Sequence, residues 1–144
     1  MVTNPSSDAE IQATCDVMRE LRPQVPAADY VATVRRMMQS DGYRLAAHHI
    51  DGAVAAVAGY RIMDMLCYGR ILYVDDLSTA ERFRSHGGGK ALIAWLETEA
   101  IAQGCRELHL DSGVQREAAH RFYFRERMAI SAYHFRKVLP VSGS

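Results

Sequence analysis

Near the N-terminus the apolar positions recur at helical spacing. Ile11, Cys15, Met18 and Leu21 follow one another every three or four residues behind Ser6, Ser7 and Asp8, whose side-chain oxygens suit an N-cap, and Pro23 closes the run. This predicts a first amphipathic helix. Pro26 suits the first turn of a second, with Tyr30, Val34, Met37 and Met38 on one face and Arg35 and Arg36 on the other, ending near Asp41-Gly42. From Tyr43 the pattern becomes β-compatible. Residues 43–50 and 53–60 flank Asp51-Gly52, a strong hairpin turn, and a third strand is expected over 70–77 after Gly69.

Downstream, Arg84-Ser85-His86-Gly87-Gly88-Gly89-Lys90 leads into a helix over 91–102, where Leu92, Leu96 and Ala100 mark the apolar face. Gly104 suits its C-terminus, and residues 107–111 read as a strand with Leu108 and Leu110 on one side and His109 and Asp111 on the other. Residues 116–126 read as a last helix and 130–138 as a closing strand. A strand at the very N-terminus has only Met1 to Pro5 to form it. The order predicts an α/β (α+β) fold: a mixed sheet flanked by helices, with a parallel pair in its middle.

At 144 residues and 16.1 kDa the chain suits one domain over 1–144. Seventeen basic residues balance seventeen acidic ones, which removes the bulk electrostatic argument for nucleic acid or an anionic membrane. The longest small-apolar stretch, 53–59, is too short to span a bilayer. Cys15, Cys67 and Cys105 are odd in number and widely spaced, so neither a disulfide framework nor a metal site is expected. These features together predict a cytoplasmic protein.

The glycine loop carries the first chemical signal. A helix N-terminus presents unpaired N–H groups, and glycines before it let an anion approach the backbone. The P-loop pattern fails, because Arg84 and Ala91 stand where it needs Gly and Ser or Thr. The dinucleotide fingerprint fails at Leu92, where it needs a third Gly. What remains is R-x-x-G-x-G, formed by Arg84, Gly87 and Gly89.

That motif follows a strand ending in Leu77-Ser78-Thr79 and precedes A-x-x-F-Y (Ala119, Phe122, Tyr123) and Tyr133-His134-Phe135. The set resembles the GCN5-related N-acetyltransferase (GNAT) superfamily, best over residues 71–139. The resemblance implies the GNAT fold, with a splayed parallel strand pair, and transfer of an acetyl group from acetyl-CoA to an amine. It implies that the amides of Ser85, His86, Gly87, Gly88, Gly89 and Lys90 hold the pyrophosphate, beside Arg84. It also implies that the backbone of Leu77, Ser78 and Thr79 pairs with the pantetheine arm, and that Ala119 and Phe122 belong to the cofactor side. A bulge near Asp76 or Leu77 would turn an N–H toward the thioester carbonyl. The sequence departs from the family pattern at Arg116, where Asn is common, and at Arg127-Met128, where Gly-Phe is common.

Amine acylation needs a base and an acid. The resemblance makes Tyr123 the acid. Alternation places Asp75 on a strand face with Tyr73 and Leu77, and Asp76 on the other until a bulge intervenes. Polyamine acetyltransferases of the superfamily are similar here, with acidic residues at both positions, which implies Asp75 as base, Asp76 as amine anchor and a small cationic acceptor. A purely structural role for the pair stands beside that reading, and His109 and Asp111 are the reserve. The expected reaction is direct attack in a ternary complex, without a metal. A homodimer is compatible with the superfamily. The alternative reading is a non-catalytic acyl-CoA-binding regulatory module; a nucleotide-binding protein of another fold rests on the glycine loop alone.

Overall fold

In the computed structural model, residues 1–141 are described, and they fall into two compact units, the second starting at Asp111. The first unit runs β1 (Val2–Thr3), α1 (Asp8–Ala13), α2 (Cys15–Leu21), a 3-10 turn (Ala27–Asp29), α3 (Tyr30–Asp41), β2 (Arg44–Ile50), β3 (Ala53–Met65), β4 (Gly69–Thr79), a second 3-10 turn (Glu81–Phe83), α4 (Gly88–Ala102) and β5 (Glu107–Leu110). The second unit contains α5 (Glu117–Arg125).

The expected first helix is divided at Thr14, whose hydroxyl donates to the Ile11 carbonyl at 2.7 Å and meets the Tyr30 hydroxyl at 2.7 Å. Such a buried hydroxyl competes for backbone acceptors inside a helix, a conflict that apolar periodicity does not register. Ser7 caps α1 through a reciprocal capping box with Glu10, whose carboxyl is held below its ordinary value mainly by the Ser7 and Ser6 N–H groups. Gly42 ends α3 in the left-handed region at φ 68°.

The five strands lie in the order β1-β2-β3-β4-β5, antiparallel except for the β4–β5 pair. Asp51 and Gly52 turn the hairpin with positive φ, as the sequence predicts. The β3 strand runs on to Met65, because β4 begins at Gly69 and the ladder holds from Met65↔Gly69 onward. One apolar cluster (Ile11, Met18, Tyr30, Val34, Leu45 and Val57 among its members) involves α1 to α3, and a second (Ala56, Tyr60, Leu72, Val74, Leu92, Leu96) involves α4.

Two expectations are corrected. Residues 130–138 form neither helix nor strand, and Ile130, Tyr133, Phe135 and Val138 are exposed. Alternation specifies which face a strand would present, not which neighbour completes its ladder. Without that closing strand the parallel pair stands at the sheet edge among the described residues, not in the middle.

Candidate functional site

The β5 ladder covers only Ile71 to Val74 of β4, whereas β4 continues to Thr79. Within the first unit, the edge of β4 that faced β5 therefore has no strand partner from Asp75 onward, and its backbone groups can pair with an extended ligand. The α4 N-terminus meets the end of this edge. A Cβ placed on Gly88 would lie 3.1 Å from Ala56 Cβ and 3.7 Å from Thr79 Cγ2, so the missing side chain lets the helix seat directly on the sheet. Gly87 precedes it at φ 75° and no side chain caps the helix, while Ser85 is also left-handed at φ 72°. The first helical N–H groups are consequently free for an anion.

The loop residues Arg84, Ser85, His86, Gly87 and Lys90 are exposed and Gly89 is half-buried. His86 turns back on its own loop, with Nδ1 3.1 Å from the Phe83 and Arg84 carbonyl oxygens. Ser78 is buried, and its hydroxyl donates to the Val17 carbonyl at 2.7 Å, so its side chain fastens β4 to α2 and only its backbone faces the open edge. Leu77 packs with the α4-side cluster.

The expected bulge is present one residue earlier than predicted. Val74 pairs with Tyr60 and Asp76 with Gly59, which leaves Asp75 as the extra residue. This corrects the expected face-sharing: Asp76, not Leu77, joins Asp75. Asp75 accepts from Arg61 at both oxygens, Nη2 to Oδ1 at 2.7 Å and Nε to Oδ2 at 2.9 Å, and Arg61 also stacks over the Tyr73 ring at 5.8 Å. Asp76 accepts from Arg22 Nε on Oδ1 at 2.8 Å and from the Tyr43 hydroxyl on Oδ2 at 2.7 Å. Arg22 Nη2 donates to the Asp75 carbonyl at 3.0 Å, tying the α2 C-terminus to the bulge. Burial, and then the Asp76 charge, push the Tyr43 phenol well above its ordinary pKa, so it stays protonated and donates.

Arg22, Tyr43 and Arg61 were not anticipated as members of this cluster. Arg61 extends the alternation of β3 past Tyr60, a signal that was available. The path of Tyr43 is non-local, and its only trace is Gly59. His109, the reserve base, is paired with Glu107 at 2.8 Å and lies against Tyr68. In the second unit Ala119, Phe122 and Tyr123 are half-buried on α5, the two rings edge to face at 5.4 Å, and Asp111 pairs with His134 at 2.9 Å.

The chain matches the acetyltransferase (GNAT) family over residues 12–128. It belongs to that family. It is 32% identical to the uncharacterized N-acetyltransferase YhdJ of Bacillus subtilis (strain 168) over 133 residues, 92% of this chain and 94% of that protein. It is 35% identical to the aminoalkylphosphonate N-acetyltransferase of Salmonella typhimurium over 66 residues, 46% and 43% of the respective chains. Its fold is similar to that of the aminoglycoside N-acetyltransferase AAC(6')-Iy in complex with CoA, at TM-score 0.80, 17% identity and coverage of 95% and 93%. The chain is thus an acetyltransferase of the GNAT fold, from a family that uses acetyl-CoA. No helix among the described residues is long and apolar enough to cross a membrane.

Proposed function

We propose that this protein transfers the acetyl group of acetyl-CoA to the primary amine of a small acceptor, by direct attack in a ternary complex. The observation that carries this reading is the open β4 edge from Asp75 to Thr79 ending against the uncapped α4 N-terminus. The donor set fits coenzyme A: helix N–H groups suit a pyrophosphate, and a free strand edge suits the amide-bearing pantetheine arm. Bound there, acetyl-CoA supplies an activated acyl carbon and a thiol leaving group.

The chain's own groups do the rest. The amides from Ser85 to Lys90, with Arg84, hold the phosphates, and the backbone of Leu77, Ser78 and Thr79 aligns the arm. By the family resemblance Ala119 and Phe122 would contact the cofactor, and a backbone N–H at the bulge would stabilise the oxyanion that develops on the acyl oxygen. The acceptor reaches the site as an ammonium, its cationic end anchored at the acidic pair. Asp75 takes the first proton from the ammonium, Tyr123 would give a proton to the departing sulfur, and the second proton lost by nitrogen on becoming an amide restores the phenol. Asp76, held at both oxygens, fixes the anchor.

Thermal unfolding with acetyl-CoA, CoA, ATP and NAD tests the cofactor. A ligand at about a hundred times its Kd adds roughly 2.7 kcal/mol, a rise of about 8 °C for a chain of this size. A shift with the coenzyme A pair alone supports the reading, and no shift with either sinks it. The paired state of both carboxylates favours one alternative, an acyl-CoA-binding module without turnover. Coenzyme binding with no thiol release across a broad amine panel would establish that alternative.

A further inference from the structure

We infer that the acceptor carries an anionic group close to its amine, and that this anion takes the Arg61 guanidinium from Asp75 when the acceptor binds. The inference rests on the acetyltransferase reading above and adds the class of acceptor.

The directly paired charges at the bulge match one to one, with Asp41 adding a further negative field at Arg61. Two carboxylates, Asp75 and Asp76, face two guanidiniums, Arg61 and Arg22, and Tyr43 is neutral. Both carboxylates are already engaged, so a polyamine meets no vacant carboxylate in this pair. A plain alkylammonium would have to share Asp75 with Arg61, placing two cations on one carboxylate.

The two ion pairs differ in how easily they open. Both oxygens of Asp76 are engaged by separate partners, Arg22 and Tyr43, and its side chain is only 14% exposed, although that of Arg22 is 40% exposed. Arg61 grips Asp75 at both carboxylate oxygens, and the two side chains, Asp75 and Arg61, are 20% and 32% exposed. Both side chains of this pair remain within reach of solvent, so an incoming anion that satisfies the same two guanidinium prongs can exchange with Asp75. The planar guanidinium that grips Asp75 at both oxygens presents the same two-pronged face to a carboxylate or a phosphonate. Nη1 of Arg61 and Nη1 of Arg22 have no hydrogen-bond partner among the described residues and are further donors for that anion.

An acceptor with both groups solves the charge problem by exchange. Its anion replaces the Asp75 carboxylate on Arg61, and the released carboxylate meets the ammonium. No charge is left unpaired. One proton then passes from the ammonium nitrogen to Asp75, the freed lone pair forms the new N–C bond as the C–S bond breaks, and the second proton that nitrogen gives up on becoming an amide balances the one delivered to the sulfur. The Asp75–Arg61 pair thus keeps the base occupied until an amine of the right kind opens it.

The test compares propylamines that differ only at the far carbon: a phosphonate, a carboxylate, a methyl group or a second ammonium. Thiol release is followed with wild type, Arg61→Gln and Arg61→Lys. The anionic pair should exceed the other two in kcat/KM by about tenfold to a hundredfold in wild type. Arg61→Gln should remove that advantage through KM while the thermal shift with CoA stays unchanged, and Arg61→Lys should restore part of it. Without any coenzyme, calorimetric titration with 3-aminopropylphosphonate should give binding to wild type and none to Arg61→Gln, with circular dichroism showing the same fold for both. Preference for the methyl- or ammonium-terminated amine in wild type, or an anion preference indifferent to Arg61, overturns this inference and leaves the acetyltransferase reading standing. Failure of wild type to bind coenzyme A overturns both.

Discussion

Gly59 is a position where a single methyl group should be felt strongly, although its backbone is not in the left-handed region and its strand would accept any residue. A Cβ built there falls 2.6 Å from Tyr43 Cε1 and closer still to Cζ and the hydroxyl oxygen. Ordinary contact begins near 3.4 Å, so the ring would have to move by about 0.8 Å at Cε1 and by more at the hydroxyl. It has nowhere to go. Tyr43 is 4% exposed, and its hydroxyl is fixed on Asp76 Oδ2 at 2.7 Å, directly across the ladder from Gly59.

Three terms set the size of the effect of Gly59→Ala. Overpacking costs about 1–3 kcal/mol. Loss of the bond from Tyr43 to an ionised carboxylate costs about 1.5–3 kcal/mol. The lower entropy of the unfolded chain returns about 0.4–1 kcal/mol. The net loss should be about 2–5 kcal/mol, or roughly 6–15 °C in Tm. Urea unfolding at a constant m-value measures it, and a cycle with Tyr43→Leu separates the clash from any generic cost. With the ring gone, Gly59→Ala should cost less than about 1 kcal/mol. A Gly59→Ala chain within 0.5 kcal/mol of the parent, or a strictly additive cycle, would refute the packing argument.

Three other substitutions probe separate parts of the molecule. His48 has a buried Nδ1 without a hydrogen-bond partner among the described residues, and its pKa is lowered by burial first, then by the N-terminal ammonium and His49. The unfolded chain therefore takes up this proton more readily, so stability should be whole above about pH 6.5 and fall as the pH drops below it; His48→Gln should flatten that part of a pH series of Tm. Tyr30→Phe removes the bond to Thr14 and should cost about 1–2 kcal/mol. Because burial raises the Tyr30 phenol to about 12, its contribution is full below about pH 10 and lost as the pH rises through 12, and the Phe variant should lack that alkaline loss. Tyr123→Phe should lower kcat about a hundredfold or more in thiol release with little change in CoA affinity; unchanged turnover would falsify the proton-donor role.

Local signals in the sequence resolved into the right elements wherever local chemistry decides them. Asp51-Gly52 turns the hairpin, Gly42 stops α3, and the glycines before Lys90 open α4. The loop could be separated from other phosphate-binding patterns because those patterns demand particular residues at fixed offsets. Thr14 was harder to read, since it divides a helix by bonding a carbonyl and a tyrosine sixteen residues away. The closing strand failed for a related reason: residues 130–138 have strand propensity, but a ladder depends on a partner that the segment's own sequence does not name. At the site, the two acids were visible as adjacent letters. Their occupation by Arg61 and Arg22 was not, because those partners lie fourteen and fifty-four residues away and become neighbours only through the β3–β4 hairpin and the docking of α2.

The extra residue at Asp75 connects these features. Before it, Leu72 and Val74 send their side chains into the α4-side cluster; after it, Leu77 does, so the parity of β4 has flipped. Strict alternation continued from Val74 would have sent Asp76 and Ser78 toward Leu92 and Leu96, and an ionised carboxylate without partners there would cost several kcal/mol. One inserted residue instead brings Asp76 to Arg22 and Tyr43, and Ser78 to the Val17 carbonyl, on the side of α2. The β5 ladder stops at Val74, where the parity changes. The same backbone irregularity thus gathers the acidic pair and coincides with the opening of the sheet edge beside it. A variant that deletes Asp75 and restores regular pairing should therefore lose both the acid cluster and coenzyme binding, rather than the base alone.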